Sequence, residues 1–387
     1  MTQYTENPVK DTKHINAAKR RRKKARRRWT IALVILVLLL VGVLAYFFFK
    51  KNPFQQKQAA NVTVEKAFDK DNVQAPELKL PEYETSITVS VVGDCTLGTD
   101  EFFNYSTSLN AYYTANGAEY FLKNVKSIFE ADDLTIANLE GTLTDSTTRV
   151  DKTYAFKGPA EFVNILTSSS VEAVTIANNH SSDYGYKSYT DTKANLDNAG
   201  VVHFGYDETA IYEVKGVKVG LVGIYELNDH TGRATQVKNN IAKVKEEGAD
   251  VVIVIFHWGI ERDAAPSSSQ ITLGRLAIDS GADLVCGHHP HVLQGIETYK
   301  GKSIVYSLGN FCFGGNSNPS DKDTMIFQQT FTVTKEGVKV DNVTNIIPCS
   351  LSSVKYKNDY CPTPATGEEA TRILNKIRER SNLIPTP

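Results

Sequence analysis

Short runs rich in Val and Ile alternate along this 387-residue chain with stretches of helical periodicity. The apolar runs are nearly continuous, which is typical of strands that are buried on both faces. Alternation of such strands with helices predicts an α/β fold. A later run at 326–348 indicates antiparallel strands about a Lys-Glu-Gly turn, so we expect mixed sheets. The strands are predicted at 87–93, 134–139, 173–178, 217–225, 250–257, 283–289 and 303–310, and the helices at 118–130, 161–168, 189–199, 236–247, 271–279 and 368–380.

An uncharged run of 20 residues at 30–49 precedes this α/β region. At about 1.5 Å per residue, a helix of this length matches a hydrocarbon core roughly 30 Å thick. Nine cations lie at 19–28 directly before the run, whereas only Lys50 and Lys51 follow it, and this bias places the N-terminus in the cytoplasm. We therefore expect a single-pass protein of the cell membrane with an extracellular C-terminal domain. Its predicted parts are a basic tail at 1–29, a transmembrane helix at 30–49, a stalk at 50–84, a domain at 85–350 and an extension with a helix at 351–387.

Two other interpretations of this N-terminal pattern are weaker. A cleaved signal peptide has an apolar core of about 7–15 residues and small residues at the cleavage site, whereas this run is longer and ends in Tyr46-Phe47-Phe48-Phe49. A buried helix of a soluble domain would rarely adjoin nine cations. The basic block resembles a nucleic-acid patch, but beside an apolar span it more simply contacts anionic lipid headgroups.

Charge is distributed very unevenly between the two ends of the chain. Residues 1–51 contain 13 Lys and Arg residues against Glu6 and Asp11, although the whole chain has a net charge of −1. Positions 52–387 therefore contain 30 basic and 42 acidic residues, a net charge of −12. A body with this charge is not expected to bind nucleic acid.

The chain has an odd number of cysteines, Cys95, Cys286, Cys312, Cys349 and Cys361. An extracellular domain lies in an oxidising environment, where at most two disulfides can form from five thiols. Cys349 and Cys361 are 12 positions apart near the end of the chain, and we expect them to be the pair that bonds.

Polar groups follow nearly every predicted strand. In open α/β sheets the carboxyl ends of strands are where ligands bind, so these groups are expected to meet. Five of the eight histidines in the chain lie in them. The clusters are Gly93-Asp94-Cys95, Asn138-Leu139-Glu140-Gly141, Asn178-Asn179-His180, His257-Trp258-Gly259-Ile260-Glu261, Gly287-His288-His289-Pro290-His291 and Ser307-Leu308-Gly309-Asn310-Phe311.

Each cluster alone has an ordinary structural explanation. Asp94 suits a helix cap, the Asn178-Asn179 pair suits a turn, and His257 after a buried strand suits a hydrogen-bonded core position. Together they offer carboxylate, amide and imidazole ligands, which favour Mn²⁺, Fe²⁺ or Zn²⁺ over Ca²⁺. Such a set predicts metal-assisted hydrolysis with one or two ions. His180, beside a candidate ligand, is placed to donate a proton to the leaving group.

The order of these six clusters over residues 87–315 resembles the CapA family, the poly-γ-glutamate capsule biosynthesis proteins. That family is similar to the calcineurin-like metallophosphoesterases. The resemblance implies a four-layer α/β/β/α sandwich with mixed sheets. It implies a membrane-anchored protein that acts in synthesis, export or attachment of poly-γ-glutamate or a related anionic polymer, beside membrane-embedded synthetase subunits. It also implies that the metal ligands are Asp94, Glu140, Asn179, His257, His289 and His291.

Two positions depart from the metallophosphoesterase pattern. Thr96 stands where a second ligand histidine is usual, and Glu140 stands where a bridging aspartate is usual. Two functions therefore stay open: a hydrolase of a phosphoester or γ-glutamyl amide bond, and a non-catalytic assembly or export subunit on the same scaffold. Lys152, Lys157 and Arg262 are candidate contacts for the polyanion, with solvated surface charge as the alternative. The substrate-binding residues are predicted to be Asn138, Lys157, Glu261 and Asn310.

Overall fold

The computed structural model describes residues 84–339 and 343–386. The predicted tail at 1–29, transmembrane helix at 30–49 and stalk at 50–84 lie outside these residues, except that Glu84 begins the first strand. Among the described helices, none is long and apolar enough to cross a bilayer.

Most of the described strands are short. The longest are the first strand and the strand after residue 322, which pair along most of their length. In chain order they are β1 Glu84–Thr96, β2 Thr99–Asp100, β3 Leu134–Leu139, β4 Thr142–Leu143, β5 Phe156–Gly158, β6 Ala173–Thr175, β7 Val202–Phe204, β8 Ala210–Val214, β9 Val217–Tyr225, β10 Val251–His257, β11 Leu284–His288, β12 Ile296–Tyr299, β13 Lys302–Val305, β14 Asn310–Phe313, β15 Asp323–Thr334, β16 Gly337–Val338, β17 Val343–Ser350 and β18 Thr363–Pro364.

The strands form two large mixed sheets and one small sheet. The first sheet has the order β18-β17-β15-β1-β3-β6-β7, with β14 paired to β1 and β16 to β15. Its strands β1, β3, β6 and β7 are parallel, whereas β15 and β17 are antiparallel to their neighbours. The second sheet has the order β12-β13-β11-β10-β9-β8, parallel from β9 to β13 and antiparallel at both edges. The small sheet is β2-β5-β4. The prediction of an α/β fold with mixed sheets is confirmed.

Three apolar clusters show how the layers pack. Val91 of β1 and Ile253 of β10 belong to one buried cluster, which therefore lies between the two large sheets. Successive strand residues point to opposite faces. On the outer face of the first sheet, Val174 clusters with Leu196 of a helix, and on the outer face of the second, Val254 clusters with residues of two further helices. The described residues thus form helix, sheet, sheet and helix layers.

The helices begin and end at local signals. Ser267 caps one helix by a capping box with Gln270, and Gly200 ends another in the left-handed conformation at φ 72°, which glycine adopts without strain. The helices predicted at 189–199, 236–247, 271–279 and 368–380 are found within four residues of their predicted bounds. The helices are α1 Leu109–Asn116, α2 Lys126–Phe129, α3 Asn164–Thr167, α4 Gly185–Ala199, α5 Ala234–Glu246, α6 Ser268–Asp279 and α7 Gly367–Ser381.

The continuous helix predicted at 118–130 was wrong. This segment contains a 3-10 turn at Ala118–Tyr120 and the single helical turn α2. The amide of Val125 donates to Leu122 O three residues earlier, so the chain is wound into tight turns rather than one α-helix. Full burial of Phe121 compensates for the lost helical bonds.

The residues after 350 pack against the sheets. Ile373 and Ile377 of α7 belong to the cluster between the sheets, and β18 pairs with β17. Helix α7 also forms ion pairs with the sheet, from Arg372 to Asp323. The predicted C-terminal helix therefore closes one side of the core.

The predicted Cys349–Cys361 disulfide is not present. All five cysteines lie in the described part of the chain as buried free thiols. Cys349 Sγ donates to Ile347 O within its own strand, whereas Cys361 Sγ donates to Tyr120 O in the 3-10 turn Ala118–Tyr120. The two thiols therefore have different neighbours, and their separation of 12 residues in sequence does not bring them together.

Candidate metal centre

Strand ends from both large sheets meet at one site. Asp94 near the end of β1 pairs in register with Asn138 near the end of β3, in the first sheet. His257 and His288 are the last residues of β10 and β11 and pair in the second sheet. His288 Nδ1 lies only 3.1 Å from Asp94 Oδ1, so the two sheets converge here. The site is therefore built at the carboxyl ends of parallel strands, as the sequence predicts.

Asp94 lies at the centre of a polar network without solvent contact. Asn138 Nδ2 donates to its Oδ1 at 2.8 Å, and His291 Nδ1 is 3.4 Å from its Oδ2. Burial acts to raise the pKa of Asp94, but the bonds and charges of His288 and His291 outweigh it and hold the pKa well below 3.8. Asp94 is therefore an ionised carboxylate in a fixed orientation.

Glu140 directly follows β3 and is fully buried. Among the described residues neither of its carboxylate oxygens has a hydrogen-bond partner. His257 Nε2 and His291 Nε2 each lie 3.7 Å from its Oε1, too far for a hydrogen bond. Burial raises the pKa of Glu140 to about 8. An unpartnered buried carboxylate is costly, and a cation held between Glu140 and these imidazoles would remove that cost.

Two imidazoles beside Glu140 are in the uncharged form that binds metals. Burial lowers the pKa of His257 well below 6.5 and that of His289 to about 3, and each ring disfavours charge on a histidine neighbour. Their ring centroids are 4.8 Å apart. His257 Nε2 is 2.8 Å from Asn179 Oδ1, and His289 Nδ1 is buried with no partner within residues 84–339 and 343–386. Neutral imidazole is the form that binds transition metals, and of these two rings His289 has the open nitrogen.

The loop that carries His289 and His291 has an uncommon backbone. His289 has φ 93° and His291 has φ 57°, a region that residues other than glycine rarely adopt. Asn310 Oδ1 is 2.8 Å from His291 Nδ1 and fixes the ring. Burial acts against charge on His291, but Glu140 and Asp94 raise its pKa to about 10. The strained backbone therefore brings both rings to the same carboxylates.

The donor atoms form two adjacent groups that share one carboxylate. Within each group, one ligand atom from each residue lies within 4.8 Å of the others. One group is Glu140, His257 and His289, and the other is Asp94, Glu140 and His291. A third group joins His289 and His291 to Glu261, which is exposed. The mixed carboxylate and imidazole donors fit divalent transition metals, in one or two positions.

His180 is held beside these groups by a buried acid. Its Nδ1 is 2.7 Å from Asp183 Oδ2, and Phe156 N donates to the same oxygen at 2.6 Å. Lys152 Nζ donates to Asp183 Oδ1 and to Asn179 O, both at 2.8 Å. Burial lowers the pKa of His180, which the bond to Asp183 partly offsets. The Nδ1 is therefore occupied, and Nε2 is the nitrogen left for a substrate.

A cleft of about 550 Å³ adjoins the donor groups, and His180, Glu261, His291 and Asn310 line it. Of the residues predicted to bind substrate, Glu261 and Asn310 thus lie at the cleft. Asn138 is fully buried between Asp94 and Asn178, where it supports the ligands. Lys157 lies elsewhere: its Nζ donates to Ser146 O at 2.7 Å and lies over the ring of Tyr184.

Three residues have roles in the site that the sequence did not indicate. Asp183 orients His180. Lys152 pairs with Asp183 and is therefore not free to contact a polyanion. His288 contacts Asp94. Asp183 follows His180 by three residues, the spacing at which side chains on one turn meet, and this was an available signal. His288 lies inside a recognised cluster but was indistinguishable from its neighbour His289 by sequence.

Comparison with known proteins gives one family. A family model described as "Bacterial capsule synthesis protein PGA_cap" matches residues 88–315. The chain is 34% identical over 222 residues to the PGA biosynthesis protein CapA of Bacillus subtilis (strain 168), covering 51% of this chain and 57% of that protein. It is 32% identical over 253 residues to the capsule biosynthesis protein CapA of Bacillus anthracis, covering 59% and 60%. The chain thus spans about six tenths of the length of these curated relatives.

The solved structures that this chain matches are distant from it in sequence. A hypothetical protein from Thermus thermophilus has a TM-score of 0.42 at 14% identity, covering 68% of this chain and 99% of that chain. A 5'-nucleotidase from Candida albicans SC5314 has a TM-score of 0.39 at 11% identity, covering 77% and 57%.

Proposed function

Because the chain belongs to the PGA_cap family of bacterial capsule synthesis proteins, we propose that it acts in poly-γ-glutamate capsule production as a metal-dependent hydrolase. The observation that supports this most is Glu140, a buried carboxylate whose oxygens have no partner among the described residues. Glu140 is shared by two groups of donors, each of which could hold a cation. A scaffold without bound metal would gain stability by replacing such a carboxylate with a neutral residue.

The residues present fit one or two ions of Mn, Fe or Zn. Asp94, Glu140 and His291 would hold one ion, and Glu140, Asn179, His257 and His289 would hold the other. Ions in such a centre supply Lewis acidity and activate water for attack at neutral pH. The outer contacts are also present, since Asn138 and Asn310 fix the orientation of Asp94 and His291.

The proton needed by the leaving group comes from His180 in this proposal. Its Nδ1–H donates to Asp183, so Nε2 of the neutral ring is left as a proton acceptor at the cleft; it takes up a proton from water and passes that proton to the leaving group. Lys152 and the amide of Phe156 keep Asp183 in place, so the imidazole has one orientation. The scissile bond is a phosphoester or a γ-glutamyl amide, because both need attack by water and protonation of the leaving group.

We further propose that residues 30–49 anchor the protein in the cell membrane with residues 1–29 in the cytoplasm and the domain outside. There the domain acts beside membrane-embedded synthetase subunits on poly-γ-glutamate or a related anionic polymer. Protease added to intact cells is expected to degrade the domain while leaving the tail protected. Degradation that requires lysed cells would overturn this orientation.

The hydrolase proposal is tested by Glu140→Gln with Glu172→Gln as the matched control. Glutamine keeps the size of Glu140 and removes its charge, whereas Glu172 is a half-buried carboxylate that accepts from Thr135 N and lies in neither donor group. Wild-type protein and the control are expected to bind divalent metal and hydrolyse an aryl phosphoester or a γ-glutamyl amide. Removal of an outer contact alone costs about 10- to 100-fold in metal affinity, so Glu140→Gln should lose at least that much and should lose turnover.

The competing function is a non-catalytic assembly or export subunit. In that case the metal-loaded wild type hydrolyses neither substrate, and cells with Glu140→Gln make as much polymer as wild type. Deletion of residues 30–49 would then abolish polymer production, although Glu140→Gln does not.

A further inference from the structure

The cleft beside the metal centre has more surface than the reaction requires. It measures about 550 Å³, within the range of pockets that hold a small ligand. His180, Glu261 and His291 line the end at the donor groups. The rest of its wall extends away from them, so it contacts a part of the substrate that does not react.

One wall of this cleft is aromatic. Phe156 lies with its ring centroid 4.6 Å from that of His180, and Phe103 and Tyr154 continue the surface outward, with centroids 6.0 Å apart. The rings of Tyr154 and Phe156 are parallel within 5°. Phe102 at the rim is 76% exposed and Tyr154 is 52% exposed. Four aromatic side chains in the wall of one cleft, of which Phe102 and Tyr154 are exposed, indicate a contact surface for a ligand.

The remaining wall is polar but carries little charge. Apart from His291 of the donor groups, Arg262 is the only cationic side chain among the described residues that line the cleft, and Glu261 carries the opposite charge. Asp321 is paired with Lys376 at 3.2 Å. A polyglutamate chain carries one negative charge per residue, and a groove that grips it would need several cations. The wall instead offers amide and hydroxyl groups, from Asn104, Thr107, Asn316, Ser317 and Ser320.

We infer that this cleft binds the sugar rings of a glycan, so that the substrate presented to the metal centre carries a glycosyl group. The C–H face of a pyranose ring is weakly positive and packs on the negative face of an aromatic ring. Its hydroxyl groups bond to amides and hydroxyls, which the remaining wall supplies. The ring carries no net charge, in agreement with a wall beyond the donor groups on which Arg262 is opposed by Glu261 and Asp321 is paired with Lys376. Binding of the glycan does not depend on the proposed hydrolase function; only the reaction that follows binding rests on it.

The test measures binding of neutral trisaccharides, namely chitotriose, cellotriose and maltotriose, to the full-length protein by calorimetry, with tri-γ-glutamate for comparison. At least one trisaccharide is expected to bind more tightly than tri-γ-glutamate. Tyr154→Ala and Phe102→Ala should each weaken it by roughly threefold or more, the loss of one aromatic contact. Tyr186→Ala is the matched control, because Tyr186 is 77% exposed and does not line the cleft.

The outcomes separate this inference from the hydrolase proposal. If no trisaccharide binds, if tri-γ-glutamate binds more tightly, or if Tyr186→Ala weakens binding as much as Tyr154→Ala, the glycan inference is overturned. Metal uptake and turnover in the same preparation would leave the hydrolase proposal standing. Conversely, Glu140→Gln should still bind the trisaccharide, since the aromatic wall is intact, and this result holds even if no hydrolysis is ever detected.

Discussion

Asp183 connects the segment before β5 to the metal centre, and Asp183→Asn tests how much depends on it. The buried carboxylate accepts from His180 Nδ1 and Phe156 N through one oxygen and from Lys152 Nζ through the other. An asparagine has one acceptor, so its amide N–H₂ must face either the ammonium or the two other donors. Breaking a buried charge-assisted pair while its partner stays in place costs roughly 3–5 kcal/mol. For a domain of this size we expect the Tm to fall by roughly 6–10 °C.

Thermal unfolding and urea denaturation of the purified full-length protein measure this loss. Asp197→Asn is the control, since Asp197 pairs with His203 at 3.0 Å but its side chain is 68% exposed, and such pairs contribute about 0–1 kcal/mol. In the metal-loaded enzyme kcat should fall at least roughly tenfold with little change in KM, because His180 loses its orientation. If Asp183→Asn unfolds within about 1 kcal/mol of wild type, as an exposed pair would, then the network does not hold His180 and the reasoning fails.

Two further substitutions test other parts of the fold. Burial raises the pKa of Glu172 to about 7, so its stabilising effect is complete below about 4.5 and is lost as pH rises through 7. Glu172→Gln should therefore flatten the decline in unfolding free energy between pH 4.5 and 7. At pH 8 the variant should be more stable than wild type by about 1–2 kcal/mol, a figure that allows for partial exposure of the carboxyl. Equal pH profiles of the two proteins in urea denaturation would contradict this. A Cβ at Gly93 would lie 2.1 Å from Gly309 O, the acceptor of Asp94 N, so Gly93→Ala should cost about 1–3 kcal/mol in thermal unfolding and weaken metal binding. Gly232→Ala, where the nearest atom is 3.4 Å away, should do neither.

Much of the fold could be predicted because its strands are apolar on both faces and its longer helices have clear periodicity. The run that became β10 is a continuous apolar sequence of Val, Ile and Phe up to its final histidine, which is typical of a strand in a covered parallel sheet. The edge strand β8 was missed, because none of its residues Ala210–Val214 is fully buried and its apolar patterning is weak. At 118–130 the apolar spacing predicts a helix, but packing of Phe121 and Val125 against the sheet selects tight turns instead.

The convergence of candidate ligands within each sheet could be predicted from one geometric rule, that carboxyl ends of parallel strands share an edge. That rule places Asp94 beside Asn138 in the first sheet and His257 beside His288 in the second, without any knowledge of side-chain rotamers. The rule does not place the two sheets against each other, so the contact of Asp94 with His288 is seen only in the fold. The rule also cannot say where a long flexible side chain goes. Lys157 therefore stayed a candidate from sequence, although in the fold its ammonium lies at Ser146 O, while Lys152, with the same chemistry five residues earlier, reaches the site.

The two donor groups of the centre are unequal. One group has three protein donors, Asp94, Glu140 and His291, whereas the other group adds Asn179 to its carboxylate and two histidines. Three donors with an open position are typical of a catalytic metal, and four are typical of a tightly held one. His288 adds no donor to the smaller group, since it is fully buried against Asp94 and belongs to neither group. We therefore expect the ion beside Asn179 to bind first and the ion beside Asp94 to exchange more readily, because the stronger donor set lies on the side of His257 and His289.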